Sequence, residues 1–232
     1  MIPFQKRIVM SDYVKNMSDL TLVKLVSEGC ADALKELMDR HMEVVSLTAF
    51  RILCDHERSV KVVRRVFADL WKKVFEYDYS LDIRNWLLVR VVDISRKMLV
   101  KDRIAAFFGI KHKMSEHRVP KVNDVDDYIT AQAWEVFCRA SKGMCPTQRI
   151  AYTLRELDLL SENISEHVSG LSKERFLRIF ARAKEHVKSE LAKLDKLADY
   201  KPYLRLLRNV RDTQADYAGL EEEILYLCVK FH

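Results

Sequence analysis

Four basic side chains are the residues of this chain whose type and spacing most directly suggest chemistry. They are Lys173, Arg175, Arg178 and Arg182, in the segment KERFLRIFARAK. Helical spacing predicts that they share the outer side of a helix whose other side is apolar. Arginine can bind a guanine edge through two hydrogen bonds, and lysine and arginine both bind phosphates. The segment predicts either a reader of duplex DNA or a solvated basic face, which is about as frequent.

The residues around this helix have the pattern of a helix-turn-helix. Ser161 can cap a short first helix, Gly170 allows a tight turn, and Ser172 can cap the second helix. In such motifs the second helix presents its N-terminal residues to the major groove. We therefore predict a helix-turn-helix over residues 161–184.

A second basic stripe lies in the segment RSVKVVRRVFADLW, residues 58–71. Its apolar residues recur at helical spacing and predict a buried side. The exposed positions hold Lys61, Arg64 and Arg65. The pattern alone fits either a solvated helix face or a binding surface.

The composition is typical of a well-packed helical protein. Hydrophobic residues make up 49% and charged residues 32% of the 232 residues, and only five Gly and four Pro are present. So few turn residues indicate long helices, and no strand-like alternation persists along the chain. We predict an all-α fold with two helical domains joined by a linker, the second containing the helix-turn-helix.

Breaks in the helical pattern divide the chain into five parts. The pattern weakens after residue 100, although IAAFF predicts one short helix there. We predict that the tail folds back on the second domain, with a partner or dimer contact as the alternative. The predicted parts are an N-terminal extension (1–17), a helical domain (18–100), a linker (101–125), a helix-turn-helix domain (126–200) and a C-terminal helical extension (201–232).

Charge and motifs limit the classes of function. The formal net charge of +6 suits a polyanion such as DNA but does not establish one. The five Cys form no CxxC and the seven His are scattered, so we predict no metal site. No Gly-rich phosphate loop, HExxH or GxSxG motif is present, so we predict neither catalysis nor a cofactor. No signal peptide or membrane span is evident, so no membrane insertion and a cytoplasmic location are expected.

Taken in order, the segments resemble those of a bacterial extracytoplasmic-function (ECF) sigma factor, a family that gives RNA polymerase its promoter specificity. RSVKVVRRVFADLW resembles the family's Asp-x-x-Gln-Glu-x-Phe-x-x-x-Trp helix. NWLLVRVVDISRKMLVKDR is similar to another family helix and keeps Trp86, Leu87 and Arg96. The first domain therefore resembles sigma region two.

The second domain resembles sigma region four. MCPTQRIAYTLREL is similar to the family's Leu-Pro-x-x-x-Arg-x-x-Phe, with Pro146 and Arg149 at the matching positions. ISEHVSGLSKERFLRIFARAK resembles the family's helix-turn-helix. Together the matching segments lie in residues 18–100 and 126–194.

The resemblance implies partners and roles. The first domain would bind core RNA polymerase and the −10 element of promoter DNA, and the second would read the −35 element. An anti-sigma factor is a further partner that the family implies. The implied −35 contacts are Lys173, Arg175, Arg178 and Arg182. The implied −10 contacts are Tyr77, Tyr79, Arg84, Arg90, Arg96 and Lys97, of which the two tyrosines could stack on bases, whereas Trp86 is predicted to be core.

The polymerase-binding helix departs from the family pattern. The family has an acidic residue, a glutamine and an acidic residue where this chain has Lys61, Arg64 and Arg65, and they meet a basic coiled coil of the polymerase. Like charges that face each other in a desolvated contact can cost several kcal/mol. Two hypotheses stay open: a sigma factor that directs polymerase to specific promoters, or a sigma-like DNA-binding regulator or decoy that does not bind core polymerase in the usual way.

Overall fold

The fold of the described residues is built from helices. The computed structural model describes residues 13–79, 81–109, 125–193, 200–212 and 216–230, and no β-strand occurs in these ranges. The predicted all-α class is therefore confirmed. The helices are α1 (Asp19–Ser27), α2 (Ala31–Leu53), α3 (His56–Lys73), α4 (Ile83–Phe107), α5 (Val125–Gly143), α6 (Pro146–Tyr152), α7 (Glu162–Ser169), α8 (Lys173–Leu191), α9 (Tyr200–Asn209) and α10 (Tyr217–Lys230).

Side-chain caps begin helices α1, α3 and α4. Ser18 and Asp55 each accept a hydrogen bond from a backbone N–H of the first turn, at 3.2 and 3.0 Å. Asp82 does the same for α4 at 2.7 Å. Each cap satisfies a backbone donor that has no partner inside the helix, which explains why the helices begin at these residues.

Helices α1 to α4, in the range predicted as the first domain, enclose an apolar core that residues of α6, α7 and α10 also enter. Val63, Phe67 and Leu70 of α3 are at most 1% exposed, so the predicted apolar side of this helix is buried. Trp86 of α4 is 8% exposed, which confirms that it is a core residue. Burying one such side chain contributes about 1.5–3 kcal/mol, so this core fixes the orientation of the basic side of α3.

Helix α4 is longer than the sequence predicts. The predicted linker begins at residue 101, but α4 continues to Phe107, because no Gly or Pro interrupts the helix before that point. Gly109 follows in a left-handed conformation (φ 74°), which a residue without a Cβ adopts at little cost. Most of the remaining predicted linker, residues 110–124, and most of the N-terminal extension lie outside the described residues.

Helices α5, α6, α8 and α9 pack around a second apolar core that contains stacked aromatic rings, whereas Val168 of α7 belongs to the first core. The ring centroids of Trp134 and Phe137 are 5.2 Å apart, and those of Phe137 and Tyr152 are 5.6 Å apart. The hydroxyl groups of Tyr152 and Tyr200 lie 2.7 Å apart and share a hydrogen bond. Burial raises the pKa of Tyr200 to about 12. This contact attaches α9, the first part of the tail, to the second domain.

A buried ion pair joins the two domains. Arg51 of α2 lies 2.7 Å from Asp158, which follows a π-helical turn (Thr153–Leu157) after α6, and both side chains are almost fully buried. Thr48 also donates to Asp158, at 2.8 Å. Burial raises the pKa of the Asp158 carboxyl, and the nearby guanidinium opposes that rise. The pair links α2 to the segment that follows α6, and neither group has solvent to replace its partner.

The two halves of the tail pack on different domains. Helix α9 folds back on the second domain as predicted, but α10 packs against α2 and α3 of the first domain, so the prediction is wrong for this helix. Leu220, Ile224 and Cys228 of α10 enter the first core, with 8%, 2% and 3% of their surface exposed. The complementary charges of the two surfaces, described below, explain this choice.

Candidate nucleic-acid interface

The segment predicted as a helix-turn-helix consists of α7, a turn at Gly170 and α8. Ser161 caps α7 by accepting a hydrogen bond from the Ile164 N–H at 3.4 Å. Gly170 ends α7 with φ 65°, a left-handed value that permits the tight turn. Ser172 occupies the N-cap position of α8, although its side chain makes no capping hydrogen bond. The sequence therefore locates both helices and the turn correctly.

Three arginines form the outer face of α8, and we call them the arginine face. Arg175, Arg178 and Arg182 are exposed and follow the i, i+3, i+7 spacing of a single helix side. Within the described ranges, none of the three side chains forms an ion pair or hydrogen bond. The opposite side packs inward through Phe176 and Ala183, which are fully buried. The face can therefore bind an external anion without first breaking an internal contact.

Lys173, the fourth residue of the predicted set, lies on a different side of α8. Its ammonium pairs with Glu162 of α7 at 2.8 Å. The hydrogen bond to this carboxylate raises the pKa of Lys173. The structure thus brings three of the four predicted residues together and turns Lys173 toward the first helix of the motif.

The two tyrosines of the predicted −10 set have different environments. Tyr77 is 5% exposed, donates its hydroxyl hydrogen to the Leu81 carbonyl and contacts the edge of Trp86 with ring centroids 6.2 Å apart. It is therefore not available to stack on a base in this conformation, which corrects the prediction. Tyr79 is 45% exposed and has the Lys24 ammonium 6.0 Å from its ring centroid.

The basic residues of the −10 set also divide into two kinds. Arg84 and Lys97 are exposed on α4. Arg90 pairs with Asp69 at 2.6 Å and lies over the Trp86 ring, 5.6 Å from its centroid. These contacts give Arg90 a structural role inside the first domain.

Arg96 connects the two predicted DNA surfaces. Its guanidinium donates to the Ser169 carbonyl, at the end of α7, at 2.5 Å, and lies 3.3 Å from Asp93. The middle of α4 is therefore in contact with the helix-turn-helix. In this arrangement Arg96 is occupied by the second domain.

Two of the three basic residues on the outer side of α3 pair with carboxylates of this chain. Arg64 pairs with Glu223 of α10 at 2.5 Å, and Arg65 pairs with Asp69 of its own helix at 3.0 Å. Lys61 is exposed, and its ammonium pairs with none of the described residues. We refer to Lys61, Arg64 and Arg65 together as the α3 basic face.

Sequence reasoning missed the acidic residues that meet the α3 basic face. Glu221 and Glu223 lie in the first half of α10, and Glu221 pairs with Lys35 of α2. The available signal was an acidic run, EEE, at the start of an apolar helix in a chain with an unusual basic stripe. In the described part of the chain, no three His, Cys, Asp or Glu side chains cluster as metal ligands would, and no helix is long and apolar enough to cross a membrane.

Comparisons with known proteins bear on the fold. No family model matches the chain, and no curated protein sequence matches it. The structure is similar to that of the sigma factor RpoE in its co-crystal structure with the anti-sigma factor NepR from Bartonella quintana, with a TM-score of 0.53 and 15% sequence identity. The match covers 69% of this chain and 97% of that chain. The fold is therefore similar to the all-α fold of this sigma factor.

Proposed function

We propose that this chain is a divergent ECF-type sigma factor, a DNA-binding initiation factor that directs RNA polymerase to specific promoters. The observation that carries the proposal is the arginine face, which lies on the second helix of a helix-turn-helix within a sigma-factor-like fold. In this motif the second helix enters the major groove.

Recognition of the −35 element would rest on Arg175, Arg178 and Arg182. Their guanidinium groups are planar and carry several donors, which suits bidentate binding to guanine and also to phosphates. Their exposure means that binding removes water from the arginines without separating them from an internal carboxylate. Lys173 would contribute less because its ammonium is shared with Glu162.

Recognition of the −10 element would rest on the exposed members of the predicted set. Tyr79 offers a ring for stacking, and Arg84 and Lys97 offer positive charge on α4. Arg96 would join them only if its contact with Ser169 opens. Promoter binding would therefore require the second domain to move away from the middle of α4.

Binding of core RNA polymerase would use the outer side of α3. The second candidate function, a sigma-like regulator or decoy that does not bind core polymerase in the usual way, is favoured by one observation. Arg64 is engaged by Glu223 of the same chain, where the family offers an uncharged glutamine to the polymerase. Because sigma-like proteins act on chromosomal DNA, both candidates would work in the cytoplasm, and the RpoE structure makes an anti-sigma factor a reasonable further partner.

Run-off transcription tests the proposal directly. The full chain is combined with core polymerase of the organism that encodes it and with fragments of that organism's DNA. We expect discrete transcripts that need the chain and that disappear with Arg178→Ala plus Arg182→Ala. Arg139→Ala is the matched control, since Arg139 is an exposed arginine of the same domain that pairs with Glu135 at 3.2 Å. Chain-dependent DNA binding without transcripts would favour the decoy.

A further inference from the structure

We propose that α10 is an internal occupant of the polymerase-docking face, so that core polymerase and α10 compete for the outer side of α3. This inference rests on the proposed function, because it takes α3 to be the docking helix. It adds a regulatory role for the C-terminal segment that neither the fold similarity nor the sequence motifs assign.

The apolar side of α10 is seated on the first domain. Ile224 and Cys228 are 2% and 3% exposed and belong to the same core as Phe67 of α3. The opposite side of α10 is solvated, as Tyr226 with 57% exposure illustrates, and Leu227 at the edge of the apolar side is 41% exposed. The helix is therefore amphipathic and covers the groove between α2 and α3.

Charge complementarity aligns α10 in this groove. Glu221 pairs with Lys35 on the α2 side, and Glu223 pairs with Arg64 on the α3 side. The hydrogen bond to Glu221 raises the pKa of Lys35. Two carboxylates of one acidic run thus reach basic residues on both walls of the groove. The reversed charge at Arg64 has an acidic partner within the chain itself.

The segment before α10 is tied to the same groove. Asp212 lies 2.7 Å from the imidazole of His56 at the start of α3. Asp216 accepts a hydrogen bond from the Gly219 N–H at 3.0 Å and so caps α10. Asp216 belongs to the segment that leads directly into α10. The helix can therefore leave the groove and keep this cap.

The packing of α10 against α2 and α3 is incomplete, which favours release of α10 from the groove. A cavity of about 350 Å³ lies between the first turns of α10 and the start of α3, lined by residues that include Val60, Val63, Tyr217 and Leu220. The side chains of Arg64 and Glu223 are 40% and 42% exposed, and exposed pairs contribute little to stability. An unfilled cavity also forfeits packing contacts. Both features lower the barrier to replacing α10 by another protein.

Competition has a quantitative consequence. If the docking face is accessible only when α10 is released, the apparent association constant for core polymerase is the intrinsic constant multiplied by the fraction of molecules in which α10 is released. A face that is open for a tenth of the time or less would bind core polymerase about tenfold more weakly than an open face. Variants that release α10 should therefore gain affinity for core polymerase.

The decisive variant is Ile224→Asp in the full chain, with Leu227→Asp as its matched control. Both place an aspartate in α10, but only the first would bury an unpaired charge. We expect Ile224→Asp to raise the affinity for core polymerase at least about tenfold. Leu227→Asp should leave the affinity at the parent value.

Alkylation of Cys228 reports release of α10 without any polymerase. The Cys228 thiol is buried where α10 packs against the first core. Cys145 in the second domain is half-buried and serves as an internal reference. We expect Ile224→Asp to speed alkylation of Cys228 at least about tenfold, measured by peptide mass spectrometry. Glu223→Arg should speed it roughly two- to fivefold, and adding Arg64→Glu should restore protection.

The outcomes separate this inference from the proposed function. Faster alkylation of Cys228 in Ile224→Asp together with unchanged core binding would overturn the competition while leaving the sigma-factor function standing. A thiol that stays protected in both Ile224→Asp and Glu223→Arg would overturn the docking of α10 itself. Absence of core binding by the parent and by every variant would instead remove the proposed function, and the inference with it.

Discussion

The arginine face of α8 and the α3 basic face carry the same kind of side chain in opposite circumstances. On α8, Arg175, Arg178 and Arg182 are exposed and form no ion pair with an acidic side chain of the described residues. On α3, Arg64 and Arg65 are each engaged by a carboxylate of the same chain, Glu223 and Asp69. The difference shows that a basic helix stripe alone does not identify a nucleic-acid surface, because its partner can lie elsewhere in the sequence.

The comparison also indicates how each face would acquire a partner. DNA binding to α8 would need only release of water and counterions, which predicts a strong dependence on salt. Under the proposed competition, polymerase binding to α3 would require α10 to leave first. The free chain would therefore be ready to bind duplex DNA but restrained from binding polymerase.

The largest expected effect comes from breaking the buried ion pair between Arg51 and Asp158, which connects the part of the chain that carries the α3 basic face to the part that carries the arginine face. Arg51→Ala leaves Asp158 buried without its partner, and such a change costs about 3–5 kcal/mol of unfolding free energy. Removing the guanidinium should raise the pKa of Asp158 further, so a proton can relieve part of the loss. The destabilisation should be greatest at neutral pH and shrink as the pH falls, because a raised pKa favours the folded state on the acidic side.

Denaturant unfolding across pH measures this effect. Arg139→Ala removes an exposed pair instead of a buried one and should change the unfolding free energy by less than about 1 kcal/mol. Replacing both partners with Arg51→Met and Asp158→Leu should restore much of the stability. Equal losses for Arg51→Ala and Arg139→Ala would contradict the buried domain contact.

The second-largest expected effect concerns the arginine face of α8, whose side chains are exposed and unpaired within the described residues. Changing Arg175, Arg178 and Arg182 together to alanine should weaken binding to cognate duplex DNA at least about a hundredfold. If all three neutralise phosphates, the slope of log K against log salt should fall by about 2.7. Fluorescence anisotropy over a salt series gives both quantities. An unchanged slope would exclude the arginine face as the DNA surface.

The smallest expected effect tests whether Lys173 belongs to the same DNA-binding surface as the arginine face. Lys173→Ala should weaken DNA binding less than about threefold, because its ammonium is already paired with Glu162 and its charge is partly compensated. Arg178→Ala in the same assay should cost about 1–3 kcal/mol if it reads a base edge. A loss for Lys173→Ala as large as that for Arg178→Ala would show that the four residues act together after all.

The fold could largely be predicted from the sequence because its signals are local. Helical periodicity, the caps at Asp55 and Asp82 and the turn at Gly170 each act within a few residues, and all are found in the structure. The end of α4 was misplaced because Lys101 to Phe107 lack a strong apolar periodicity, yet nothing there breaks a helix.

The contacts that connect distant segments could not be predicted. The pairs Arg64–Glu223 and Arg51–Asp158 join residues more than a hundred positions apart, and sequence spacing carries no information about them. The burial of Tyr77 likewise depends on Trp86 and Leu81, which the local pattern does not relate to it. Local periodicity shows which side of a helix is apolar, but the partner of each exposed charge depends on the tertiary fold.

Retention of core RNA polymerase on the immobilised full chain tests the central claim most directly. The polymerase comes from the organism that encodes the chain, binding is measured at low salt, and Ile224→Asp is immobilised alongside the parent. We expect the parent to retain core polymerase above the bare matrix and Ile224→Asp to retain more. If neither chain retains any polymerase, the outer side of α3 is not a polymerase-docking face and the proposed function is wrong.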